Sequence, residues 1–206
     1  MYAKTPMQKV ILKLNKRNFP LSLARALEVF GREGDWHTKD YVSYVGSLEV
    51  WEINLGFLDG LKRNLPDAKI IITDSFMKIK TTHSKYDLIV VDNPQSTYGQ
   101  NNEYCEHFEL FPHIFRIAED QCAIILNINT EPYNFHDDLS WWKRRADFYN
   151  TDHPQKLSFN QVKTHYEKIC AQNNFNMKWS FLQKRNNFMY YLCFEMEKNK
   201  QKFEVS

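Results

Sequence analysis

Five short apolar runs recur along this chain, each closed by a polar or glycine-bearing turn. They are ALEVF at 26–30, SLEVWEI at 47–53, AKIIITD at 68–74, YDLIVVD at 86–92 and AIILNI at 123–128. A short run with so little polar interruption suits a strand covered on both faces. Between the runs lie helix candidates, HTKDYVSYV, GFLDGLKRNL and NEYCEHFELFPHIFRI. Strands alternating with helices predict βαβ units, right-handed crossovers and a mostly parallel sheet.

The pattern changes toward the end of the chain. SFNQVKTHYEKICAQNN (158–174) reads as a helix capped by Ser158. NMKWSFLQKR and NFMYYLCFEMEK then flank an Asn-containing turn, and their aromatic content predicts an antiparallel hairpin. The total is seven strands. Residues 1–22 read as an N-terminal arm or helix broken before Pro20, and 23–206 as a single domain. Within it, 129–157 is a long connection rich in aromatics and charge, the character of a lid-like insertion.

Composition narrows the function classes. A formal net charge of +2 gives no general attraction to nucleic acid or an anionic membrane. No apolar stretch approaches the ~20 residues of a bilayer span. The N-terminus shows no apolar signal core, so a cytoplasmic location is expected. The four cysteines, Cys105, Cys122, Cys170 and Cys193, are widely spaced and form no CxxC. They are expected to be free, reduced and mostly buried.

In an open α/β sheet the ligand sits outside the carboxyl ends of the strands. Here those ends carry acids. Glu28 precedes Gly31 and Gly34, Glu52 closes the second run, Asp74 the third, and Asp92-Asn93-Pro94 the fourth. Glu52 lies about 20 residues beyond the glycine turn, where a carboxylate can accept from two ribose hydroxyls. Asp74 could accept from an exocyclic amine beside Phe76, and it or Ser75 could equally cap a helix. A dinucleotide cofactor lacks its three-glycine spacing, and there is no P-loop.

Together, these motifs resemble the class I S-adenosylmethionine-dependent methyltransferases over residues 24 to 197. The resemblance implies a Rossmann-like doubly wound α/β sheet with S-adenosyl-L-methionine as cofactor. ALEVFGREG is similar to the family's first motif, so Glu28 and the loop with Gly31 and Gly34 would hold the methionine end. The family's acid-x-Gly-x-Gly-x-Gly order falls on Phe30, Arg32 and Gly34, with Gly31 out of step. VWEIN would place Glu52 on the ribose, and ITDSF would place Asp74, Ser75 and Phe76 at the adenine. VVDNP would turn Asp92 toward the transferred methyl.

DNPQ is also similar to the (N/D)PP(Y/F) motif of amino-methylating nucleic-acid enzymes, with Gln95 at the second proline. YDLIVVDNPQSTYG resembles the fourth-strand segment of polyamine aminopropyltransferases, where a second acid stands at the position of Gln95.

Methyl transfer needs alignment and, for a hydroxyl, removal of a proton. Asp92 and Asn93 are the candidates to line that site. His107, beside Glu106, is a candidate base because imidazole titrates near neutrality. FHDD (His136, Asp137, Asp138) offers a weak metal set with Asp92, but its spacing matches no ligand pattern and no metal is expected. In SWWKRRADFY, residues Trp141, Arg144, Arg145 and Tyr149 could hold an anionic or sugar-phosphate substrate or stack on single-stranded nucleic acid. They could equally form one docked amphipathic helix. The expectation is a methyltransferase acting on a small-molecule hydroxyl or amine, sugar-like or anionic. The alternatives are a nucleic-acid methyltransferase and an inactive binding protein on the same fold.

Overall fold

The structure is a computed structural model that describes residues 3–131 and 138–199. Its strands are β1 (Arg25–Val29), β2 (Ser47–Glu52), β3 (Lys69–Ile72), β4 (Tyr86–Val91), β5 (Thr97–Tyr98), β6 (Tyr104–Cys105), β7 (Ala118–Asn129), β8 (Phe175–Lys184) and β9 (Met189–Lys198). Seven of them form one sheet in the order β3-β2-β1-β4-β7-β9-β8. The strands pair in parallel from β3 to β7, and β9 runs antiparallel to both its neighbours. The order reverses between β1 and β4, which makes the carboxyl ends of those strands the switch point of the sheet.

Four of the five apolar runs are the inner strands β2, β1, β4 and β7, whose faces are both covered, and the fifth is the half-buried edge strand β3. Leu27, Val29, Ile89, Val91, Ile124 and Leu126 point to one core, and Ala26, Leu88, Val90, Ala123 and Ile125 to the other. The first face is closed by α3 (Ser75–Thr81), α4 (Phe111–Ile117) and α6 (Phe159–Gln172). The second is closed by α1 (Pro6–Asn15) and α2 (Leu58–Asn64). Local chemistry sets the helix starts. Thr5 and Gln8 form a capping box ahead of α1, with Pro6 in its first turn, and Ser158 with Gln161 does the same for α6. The stripe Met7, Val10, Ile11 and Leu14 then packs α1 against the sheet.

Two helix expectations are corrected. HTKDYVSYV forms no α-helix but two 3-10 turns, Thr38–Asp40 and Val42–Tyr44. Its His37 and Tyr41 turn inward onto Glu28, and that pairing outweighs a helix built from Thr38, Val42 and Val45. NEYCEHFELFPHIFRI is helical only in α4, because Tyr104 and Cys105 pair with β5 in a small separate hairpin. The insertion gains a helix, α5 (Leu139–Tyr149), N-capped by Asp138. His136 and Asp137 of FHDD lie outside the described residues. All four cysteines are buried. Among the described residues no helix is long and apolar enough to cross a membrane.

Gly34 is held at φ 69°, and a Cβ there would lie 2.5 Å from Leu65 Cδ1. Gly34→Ala is therefore expected to destabilise the fold by about 1–3 kcal/mol in urea unfolding. A loss under about 0.5 kcal/mol would show that this loop relaxes freely.

Candidate functional site

The loop after β1 explains the displaced glycine. Phe30, Arg32 and Gly34 all lie at positive φ, 68°, 48° and 69°. The backbone thus takes the left-handed conformation at the three positions where glycines were expected, and two of them carry side chains. Such residues persist only where the surroundings hold them, at a cost of roughly 1 kcal/mol or more each. The holding groups are visible. Glu52 Oε2 accepts from the Arg32 amide at 2.7 Å, and the Gly31 amide donates to the Trp51 carbonyl at 3.1 Å. Gly31 is needed for space rather than for its dihedral, since a Cβ there would stand 2.2 Å from Val50 Cγ1.

A chain of ionisable groups runs from β1 to the β8–β9 turn. Glu28, fully buried, is bonded to His37 Nε2 at 2.9 Å and accepts from the Tyr41 hydroxyl. His37 Nδ1 lies 2.9 Å from Asp92 Oδ2, and Arg185 donates to Asp92 Oδ1 at 2.5 Å. Burial alone would make His37 less basic. The two carboxylates overcome burial and raise it from 6.5 to about 10, so it is an imidazolium at neutral pH. Burial likewise opposes ionisation of Asp92, but His37 and Arg185 pull its carboxyl below the usual range. Sequence reasoning passed over His37 because it was assigned to a helix, and Arg185 because it ends a strand. No spacing signal connects either to Glu28.

The ends of β2 and β3 behave differently. Both Glu52 oxygens accept backbone amides, from Arg32 and from Asn54, each at 2.7 Å. Asp74 caps α3, accepting from the Phe76 amide at 2.8 Å, and Ser75 is buried as the first residue of that helix. Phe76 is stacked on Tyr104, with centroids 3.6 Å apart and planes at 6°. Phe30 and Tyr98 close the same cluster at 6.1 and 6.0 Å from Phe76. An aromatic seal from the β5–β6 hairpin therefore covers the segment expected to face a purine.

The remaining predicted residues are internal. His107 is fully buried, between Asn93 Oδ1 at 3.1 Å and the Tyr166 hydroxyl. Burial, with Arg145 and His165 adding repulsion, lowers it to about 3, so it is neutral. It orients Asn93 and does not reach the cavity, which corrects its expected place as an accessible base. Trp141 and Arg145 are also fully buried, and both bond Glu106. Arg145 also donates to the Asn129 carbonyl at 2.8 Å. Tyr149 is buried, with its hydroxyl 3.5 Å from that of Tyr166. Arg144 fastens the β5–β6 hairpin through the carbonyls of Asn102 and Glu103, at 2.7 and 2.6 Å. These side chains dock α5 on the domain, so the expected substrate platform is not formed by them.

One cavity of about 680 Å³ opens at the switch point, within the range of small-molecule sites. Of the predicted site residues, Gly31, Asp92 and Asn93 line it. Glu28 stands behind His37, while Gly34, Glu52, Asp74, Ser75, Phe76, His107 and the α5 residues are not in its wall. The wall includes Phe30, Arg32, Trp36, His37, Gln95 and Arg185 instead.

The raised His37 basicity makes a stability prediction. A group more basic when folded stabilises fully below its unfolded value and loses that contribution as pH rises through its folded value. Urea stability of the wild type should fall from about pH 6.5 toward about 10, and His37→Gln should flatten that part of the curve. Parallel curves for the two proteins would show that His37 is not the group responsible.

No family model matches the chain, and no curated protein matches it in sequence. Solved structures do match. The 1,6-didemethyltoxoflavin-N1-methyltransferase of Burkholderia thailandensis aligns with a TM-score of 0.59 at 9% identity, over 95% of this chain and 79% of that one. The magnesium protoporphyrin IX methyltransferase of Synechocystis PCC 6803, solved with bound SAM, gives 0.56 at 12% over 94% and 78%. A ribosomal-protein methylase of Lactobacillus delbrueckii subsp. bulgaricus gives 0.55 at 11% over 97% and 81%. What the chain shares with these proteins is its architecture: it has the Rossmann-like fold of the class I S-adenosylmethionine-dependent methyltransferases.

Proposed function

We propose that this protein is an S-adenosylmethionine-dependent methyltransferase acting on the hydroxyl or amine of a small molecule. The observation that carries the reading is the cavity at the switch point, walled by the β1 loop on one side and Asp92-Asn93-Pro94 on the other. The cofactor, when bound, supplies an electrophilic methyl group. The β1 loop with Gly31 would hold its methionine end, Glu52 its ribose, and Asp74 with Phe76 its adenine. The residues fit at the loop, where three left-handed positions survive without two of the glycines. At Glu52 the oxygens keep lone pairs beyond the two amide bonds, but the side chain is buried outside the cavity wall, so the ribose position requires the β1 loop to yield. At Phe76 the ring face is taken by Tyr104, so the adenine position requires the β5–β6 hairpin to yield.

The protein groups at the cavity have definable work. Asp92, held ionised by two cations, is a weak base but a strong hydrogen-bond acceptor, suited to orienting an acceptor O–H or N–H. His107 fixes the Asn93 amide beside it. A wall that buries the acceptor keeps water from competing for the methyl group. A second reading, a binding protein that has lost turnover, draws support from the same Tyr104 stack.

Calorimetric titration with S-adenosylmethionine and S-adenosylhomocysteine tests the proposal. Glu52→Ala is expected to weaken binding by about tenfold or more, and Tyr104→Ala to strengthen it about fivefold. Absence of binding by both the folded wild type and Tyr104→Ala would overturn the cofactor assignment. Binding that no acceptor converts to turnover would favour the binding protein.

A further inference from the structure

The cavity wall is unbalanced in charge. Its ionisable groups are Arg32, His37 and Arg185 against Asp92 alone. Glu28, buried behind His37, supplies a second negative charge, leaving three positive groups against two negative ones. The excess sits at one place. The guanidinium carbons of Arg32 and Arg185 lie 5.3 and 4.8 Å from the centroid of the Trp36 ring. Trp36 is 56% exposed, too open for a core tryptophan. Arg32 forms no ion pair with any described carboxylate, and Arg185 spends only Nη1 on Asp92. Two guanidiniums at one indole, with Asp92 paired to Arg185 and not to Arg32, repel each other unless a further anion joins them.

The floor of the cavity adds a second requirement. Gln95 Nε2 donates to Asn127 Oδ1 at 3.3 Å, and Asn127 Nδ2 donates to the Asn93 carbonyl at 3.0 Å. This pairing fixes the Gln95 amide and leaves its Oε1 buried with no donor among the described residues. An orphaned buried acceptor is unfavourable, and a ligand hydroxyl or amine that draws Oε1 to the cavity surface would recover the missing bond.

We propose that the cavity takes a hydroxylated organic anion, with its carboxylate or phosphate held by Arg32 and Arg185 at the edge of Trp36 and a hydroxyl donated to Gln95 Oε1. The anion site stands on the wall residues themselves. Only the naming of this molecule as the methyl acceptor rests on the methyltransferase reading. The planar forks of two arginines suit either anion.

The full-length protein is titrated by calorimetry with glucuronate, glucose 6-phosphate, glucose and inorganic phosphate. One or both sugar anions are expected to bind at least about tenfold more tightly than glucose. The better of the two identifies carboxylate or phosphate as the source. Arg32→Gln, a change at an exposed residue without an ion-pair partner, should weaken the sugar anions about fivefold or more. Gln95→Leu should weaken the sugar anion while leaving inorganic phosphate unchanged. Equal binding of glucose, or sugar-anion affinity unaltered by Arg32→Gln, would overturn the proposal. So would competition between glucuronate and S-adenosylhomocysteine, since that would place the guanidiniums on the cofactor's own carboxylate. Sugar-anion binding by a protein that ignores S-adenosylhomocysteine would uphold the anion site and remove the methyltransferase reading.

Discussion

His37 between Glu28 and Asp92 is the contact on which the switch point depends. A buried imidazolium is tolerable only with opposite charge beside it, and two buried carboxylates are tolerable only with a cation between them. Each group is therefore a condition for the other. The contact also joins the carboxyl ends of two paired strands, since Glu28 is the penultimate residue of β1 and Asp92 follows β4. Arg185 extends it to the turn between β8 and β9. Three separate stretches of chain are tied at the mouth of one cavity, and Asp92 is fixed there as an anion.

A second assembly governs the other half of the site. Phe30 belongs both to the cavity wall and to the ring cluster with Phe76, Tyr98 and Tyr104. It divides the open side of the switch point from the covered side. The cover is a hairpin of two-residue strands, held down by Arg144 of α5 rather than by extensive sheet pairing. Arg144 thus matters for what the hairpin covers, although it does not face the cavity. Few strand hydrogen bonds and a side-chain tether are the features of an element that opens at low free-energy cost.

Much of the fold was legible in the sequence, for a physical reason. Strands covered on both faces need unbroken apolar runs, and the five runs became β1, β2, β3, β4 and β7 with ends shifted by a few residues. The closing hairpin and the Ser158 cap were readable for similar local reasons. HTKDYVSYV was misread because the inward turn of His37 and Tyr41 answers to a carboxylate on another element, which no local window contains. β6 was hidden inside a segment whose apolar spacing imitates a helix, and its partner β5 is only two residues long.

The site was legible in outline. Of the strand-end acids only Glu28 and Asp92 stand where the sheet order reverses, and Asp92 alone lines the cavity, since Glu28 lies behind His37 while Glu52 and Asp74, beyond β1 at β2 and β3, bond backbone amides. Of SWWKRRADFY, Trp141 and Arg145 went into the core instead, drawn by buried Glu106, while Arg144 tethers the β5–β6 hairpin and Lys143 stays exposed. The most direct measurement is the titration of His37 itself, followed by NMR of its imidazole resonances in the wild type and in Asp92→Asn. The expected result is an imidazolium that persists to about pH 10 in the wild type and deprotonates at lower pH in the variant. Titration of wild-type His37 near 6.5, unchanged in Asp92→Asn, would contradict the ion chain at the switch point.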